Sequence, residues 1–138
     1  MEAKPTIGIV GGTGDLGSGL AKHWARAGYE IVLGSRRKEK AASIAVELRS
    51  ETGGRLDGED NLAAARRSDV VVIAVPFASH EATLKEIKPA LKGKIVIDAV
   101  VALAPPKVSL VQLPSEGSAA AIARNILGDE VRLVSAFH

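Results

Sequence analysis

The chain has 138 residues, enough for one domain with a real core, and 46% of them are hydrophobic while only 3% are aromatic. A formal net charge of +2, with Lys and Arg interspersed among Asp and Glu, gives no case for a basic nucleic-acid surface, and the lack of cysteine excludes a disulfide framework or a thiolate nucleophile. No apolar run approaches the roughly 20 residues that span a bilayer, so a cytoplasmic protein without a membrane partner is the expectation.

From the N-terminus, Thr6 to Val10 is an apolar run without alternation between Pro5 and a glycine cluster, the pattern of a strand buried on both faces. Asp15 to Ala27 reads as a helix with Leu16, Leu20, His23 or Trp24, and Ala27 along its inner face and Gly28 as its stop. Glu30 to Leu33 is a second strand. Residues 38–50 form a second helix whose buried stripe is Ile44, Leu48 and several alanines. A third strand is weakly signalled, by Arg55, Leu56 and Asp57 alone, and a short polar helix follows from about Glu59 to Arg67. Val70 to Val75 is the strongest strand signal, closed by Pro76. A helix from about Ser79 to Leu91, a turn at Lys92-Gly93 and a strand from Lys94 to Ile97 form another unit. Pro105 and Pro106 interrupt regular structure, a helix runs from about Glu116 to Leu127 with Ser115 as its cap, and Val131 to Ala136 is the last strand.

Strands separated by helices in this way describe a parallel sheet with right-handed crossovers. The expected class is α/β: a doubly wound, six-stranded parallel sheet between helical layers, with residues 1–138 forming one domain.

Directly after the first strand comes Gly12-Thr13-Gly14-Asp15-Leu16-Gly17, a GxGxxG arrangement that opens the first helix. Its first glycine permits the tight turn, its second lets a pyrophosphate approach the backbone, and its third lets helix and strand pack closely. The helix N-terminus then holds the pyrophosphate with main-chain amides and the positive end of its dipole. This context predicts a dinucleotide-binding Rossmann fold, with Asp15 read as a helix-capping acid. An NAD site places an acid at the end of the second strand. Here that strand runs into Gly34-Ser35-Arg36-Arg37-Lys38, with Lys40 a turn later. Guanidinium and ammonium groups pair with a 2′-phosphate that a carboxylate would repel, so NADP is the expected ligand, with Ser35 and Arg36 ahead of Arg37 as contacts.

Ligands of open α/β sheets lie beyond the carboxyl ends of the strands, where Val75, Pro76 and Phe77 follow the fourth strand and Asp98 to Leu103 follow the fifth. Val75, Pro76, Ser79 and Val101 are candidate borders of a nicotinamide. Pro76 serves equally well to end the strand, His80 reads as decoration of its helix, and Asp98 as a turn cap. No Ser/His/Asp set or metal-binding spacing is visible, and no residue is assigned as catalytic, because hydride transfer between carriers needs chiefly positioning and exclusion of water.

At Gly11-Gly12-Thr13-Gly14-Asp15-Leu16-Gly17 and Gly34-Ser35-Arg36-Arg37-x-x-Lys40 the chain resembles the F420-dependent NADP oxidoreductases. The likeness continues through Ala74-Val75-Pro76-Phe77, Ser115 to Ala120 and Val134 to His138. It implies hydride exchange between the deazaflavin of coenzyme F420 and the nicotinamide of NADP, stacked in one cleft. It also implies phosphate-loop contacts from Thr13, Gly14, Asp15 and Leu16, and 2′-phosphate contacts from Ser35, Arg36 and Lys40. The chain departs from the family pattern at Asp15, where Asn is usual, and around Ser79 and His80. The family's F420-binding and dimerisation segment is expected to lie outside these 138 residues, supplied by a homodimer partner or a second chain. Other readings are a non-catalytic NADPH-binding module that delivers hydride to a partner flavoprotein, and an NADP-dependent reductase of a small imine or ketone.

Overall fold

The computed structural model describes residues 4–99 and the backbone of residues 132–135. The strands are β1 (Ile7–Val10), β2 (Glu30–Ser35), β3 (Arg55–Asp60), β4 (Val70–Ile73), β5 (Ile95–Asp98) and β6 (Arg132–Ser135). Between the first five lie α1 (Asp15–Arg26), α2 (Lys38–Thr52), α3 (Asn61–Arg67) and α4 (Phe77–Ile87), the last continued by a 3-10 turn at Lys88–Ala90. All five strand pairings are parallel, in the order β3-β2-β1-β4-β5-β6. This is the doubly wound α/β arrangement expected, and the direction in which successive strands are added to the sheet reverses between β1 and β4. The helix and cap expected between Ser115 and Leu127 lie outside the described residues.

The central strands are apolar throughout because both of their faces are covered. On one face Ile7, Ile9, Ile31, Leu33 and Leu56 pack with Ala21 and Ala25 of α1 and Ala41, Ala45 and Leu48 of α2. On the other, Val10, Val71, Ile73 and Val96 pack with Ala65 of α3 and Leu84 and Ile87 of α4.

The inner face of α1 differs from expectation. It consists of Gly17, Ala21 and Ala25, with Leu20 and Trp24 partly buried beside it, while Leu16 is 40% exposed and Ala27 lies at the surface. Small residues four apart let the helix backbone settle close to the sheet, and the larger apolar side chains flank that seam.

Six residues, rather than three, form β3. As an edge strand it needs a hydrogen-bonding partner on one side only, and among its residues only Leu56 is buried. Gly58 lets α2 lie against it, since a methyl group there would stand 2.2 Å from the Ala41 carbonyl carbon. Its acids are engaged: Asp57 pairs with Arg49 at 3.4 Å and Arg67 at 2.9 Å, and Asp60 caps α3 by accepting from the Ala63 N–H at 2.8 Å. Charges along an edge also discourage pairing with other chains. The cap places the start of α3 at Asn61, two residues later than expected. Conversely β4 ends at Ile73, and α4 begins immediately after Pro76.

Candidate functional site

The glycine loop joins β1 to α1 and is tied to the neighbouring strand: the Gly11 and Gly12 N–H groups both donate to the Gly34 carbonyl at 3.0 Å. The residue in the left-handed region is Gly11, at φ +80°, so Gly11 and not Gly12 makes the turn. Gly12 is required by packing, because a methyl group on it would stand 2.7 Å from Leu33 Cδ2 and 2.8 Å from the Ile9 carbonyl oxygen. Gly17 brings the helix against the loop, with its own added methyl 2.7 Å from Gly12 Cα. Both are buried. Gly14 is exposed, and a methyl group there would meet nothing nearer than the Gly11 carbonyl oxygen at 3.7 Å.

Gly14 is also the N-cap of α1 and supplies no side-chain cap, so Asp15 is a first-turn residue and not the capping acid expected. The N–H groups of that turn have no intrahelical acceptor. Thr13, Gly14, Asp15 and Leu16 line a cleft of about 850 Å³ beyond the carboxyl ends of the strands.

The opposite rim is the end of β2. Ser35 is buried, with its hydroxyl oxygen accepting from the Arg37 N–H at 3.2 Å. Arg36, Arg37 and Lys40 line the same cleft, are exposed, and form no salt bridge among the described residues. Lys38 turns away to Glu59 at 3.4 Å, and Glu59 also accepts from Arg67 at 3.0 Å. Glu59 and Asp60, which pair with Gly34 and Ser35 across the β2–β3 register, are thus committed elsewhere, and among the described residues the charged lining of the cleft is Arg36, Arg37 and Lys40 against Asp15, an excess of positive charge.

The third wall carries Val75, Pro76 and Ser79. Val101 lies outside the described residues. His80 is not decoration: it is 1% exposed, and its Nε2 lies 3.0 Å from Oδ2 of Asp98, which is equally buried. The contact ties the first turn of α4 to the end of β5, helping to fix Pro76 and Ser79 relative to Ala99, another wall residue. Pairing across 18 positions carries no periodic signal.

Two polar wall residues escape the reading of the sequence, Asn61 and Thr83, while Ala99 falls within the stretch after the fifth strand where the ligand was expected to lie. Asn61 and Thr83 look like ordinary helix residues until α3 and α4 are set against the sheet.

Residues 6–102 match the family described as NADP oxidoreductase, coenzyme F420-dependent. The chain belongs to this family. It is 41% identical over 139 residues to an F420-dependent NADP reductase of Methanocaldococcus jannaschii, an alignment covering 95% of this chain and 61% of that protein. A second F420-dependent NADP reductase, from Methanothermobacter marburgensis, is 39% identical over 140 residues, with 96% and 62% covered. The chain therefore spans about three fifths of the length of these curated relatives. Among solved structures, a putative F420-dependent NADP reductase from Arthrobacter sp. FB24 superposes with a TM-score of 0.78 at 23% identity, covering 97% of this chain and 62% of that one. A pyrroline-5-carboxylate reductase from Coxiella burnetii gives 0.67 at 22% identity, covering 96% and 43%. These two likenesses are of fold. The span matched by the F420-dependent family contains the glycine loop, the basic rim and the Val75-Pro76 wall. Among the described residues no helix is long and apolar enough to cross a membrane.

Proposed function

We propose that the cleft binds NADP and that the chain supplies the nucleotide side of an enzyme exchanging hydride between NADP and coenzyme F420. The observation that carries the nucleotide assignment is the basic rim: among the described residues Arg36, Arg37 and Lys40 stand without acidic partners around the buried Ser35. Such a rim neutralises a 2′-phosphate, and its guanidinium groups add directional hydrogen bonds. The loop fits the other anion of the same molecule, since Gly14 leaves the uncapped first turn of α1 open to a pyrophosphate.

Thr13, Gly14, Asp15 and Leu16 are assigned to the pyrophosphate, with Gly12 and Gly17 shaping the loop behind them. Ser35, Arg36, Arg37 and Lys40 are assigned to the 2′-phosphate. Val75, Pro76, Ser79 and Val101 are assigned to the nicotinamide side. The nicotinamide and the deazaflavin supply the reacting carbons. The chain's task is to orient the nicotinamide and keep water from it.

The F420 assignment is supported by family membership and by the two relatives carrying that activity in their names. Two fifths of those relatives' length finds no counterpart here, and we assign completion of the F420 side to further polypeptide, a homodimer partner or a second chain.

Calorimetry with NADPH and NADH tests the nucleotide assignment: clear preference for NADPH is expected, and equal affinity overturns it. Steady-state oxidation of reduced F420 tests the rest. The 138 residues by themselves are expected to turn over far more slowly than a full-length relative; comparable turnover would remove the need for a completing segment. Reduction of a small imine or ketone, or of a partner flavoprotein, in place of F420 would redirect the assignment of the acceptor.

A further inference from the structure

Asn61 is the first residue of α3, fixed there by the Asp60 cap, and is only 2% exposed although it lines the cleft. Its Oδ1 is buried and has no hydrogen-bond partner among the described residues. Within the described protein this oxygen therefore costs stability, because a buried polar atom left unpaired forfeits its hydration. An unsatisfied group of this kind beside a ligand cleft calls for an account in terms of the ligand.

Its position narrows what that ligand group is. The side chain lies over Gly34, where an added methyl would stand 2.8 Å from Asn61 Oδ1 and 3.0 Å from Ala64 Cβ; β2 is glycine at this point because Asn61 occupies the space. Gly34 bridges the two anion sites, since its carbonyl holds the Gly11 and Gly12 amides of the phosphate loop and its chain neighbour is Ser35 of the basic rim. Gly34 and Ser35 face opposite sides of the sheet. Asn61 thus enters from the α3 layer, opposite the side to which Ser35 points. In an NADP molecule the unit joining the 2′-phosphate to the pyrophosphate is adenosine.

We infer that Asn61 is a specificity residue for the adenosine of the bound nucleotide, its side-chain amide hydrogen-bonding the ribose–base unit between the two phosphate sites. The inference rests on the cleft being the NADP site. A carboxamide can turn either its oxygen or its nitrogen to the ligand, so it suits a unit that carries both donors and acceptors. The role falls on the binding step and not on the reacting carbons.

The test uses the 138-residue protein and its Asn61→Ala and Asn61→Leu variants, with calorimetry against NADPH and against adenosine 2′,5′-bisphosphate, and thermal melting of each protein without ligand. Loss of one hydrogen bond predicts roughly fivefold to tenfold weaker binding, by the same factor for both ligands because the bisphosphate carries the whole contact. The melting temperature of at least one variant, the Leu side chain sparing the cavity that Ala leaves, is expected to equal or exceed that of the parent. Unchanged affinity in a variant that melts normally overturns the inference and leaves the NADP assignment intact. Weakened NADPH binding with an unaltered bisphosphate overturns it too, and lowered melting of both variants would mark Asn61 as structural. Failure of the parent protein to bind NADPH removes both readings together.

Discussion

A methyl group placed on Gly17 would press into Gly12 Cα at 2.7 Å, whereas one on Gly14, which lines the cleft, would meet nothing nearer than the Gly11 carbonyl oxygen at 3.7 Å. The two substitutions should therefore separate folding from binding. Gly17→Ala is expected to cost about 1–3 kcal/mol, seen as a fall of several degrees in melting temperature. Gly14→Ala should melt like the parent and bind NADPH at least about tenfold more weakly, since the methyl occupies the approach to the backbone amides. Normal NADPH affinity in Gly14→Ala would remove the loop from the binding surface. Arg36→Ala should weaken NADPH binding by about tenfold or more through loss of a charge-assisted contact while leaving NADH nearly unaffected, so most of the discrimination disappears. Calorimetry on the two nucleotides reads both effects. The motif residues were legible in the sequence because their spacing expresses local mechanics. His80, Asp98 and Asn61 were not, because burial and pairing of these residues arise only when distant segments meet.

Individual elements show the same division. The apolar runs of β1 and β4 announce strands covered on both faces, and Leu48 with its neighbouring alanines announces the inner side of α2. The third strand was hard to read because an edge position removes the demand for a continuous apolar run, leaving Leu56 and Gly58 as its packing residues. The inner face of α1 was misread because close approach selects residues for smallness, and a hydrophobicity pattern gives Gly17, Ala21 and Ala25 little weight against Leu16. The β3 edge yields a contrast that circular dichroism melts can check. Gly58→Val should cost at least about 3 kcal/mol, because α2 must move away from the strand. Asp57→Asn should cost below about 1 kcal/mol, because its pairs with Arg49 and Arg67 are half-exposed and screened. Similar losses from both would show that the edge is held by charge and not by close contact.

At the scale of the molecule, a net charge of +2 produces little long-range attraction, so discrimination between nucleotides must be local to the basic rim. Raising salt from about 0.1 M to about 1 M shortens the screening length from about 10 Å to about 3 Å, and exposed cations feel that change most. NADPH affinity is expected to fall over this range while NADH affinity stays nearly level; parallel decline of both would indicate general ionic binding. The cleft opens where β1 and β4 part, so the first half of the sheet carries the loop and the rim while the second half carries the Val75-Pro76 wall. The seam of Gly17, Ala21 and Ala25 beneath α1 has a kinetic corollary. Glycine and alanine possess no rotamers to exchange, so the helix sits on the sheet in one arrangement before any nucleotide arrives, and little ordering entropy remains to be lost on capture. Stopped-flow mixing with NADPH should accordingly give a single exponential whose rate climbs in proportion to nucleotide concentration, where a rate that levels off would reveal a slow rearrangement ahead of capture.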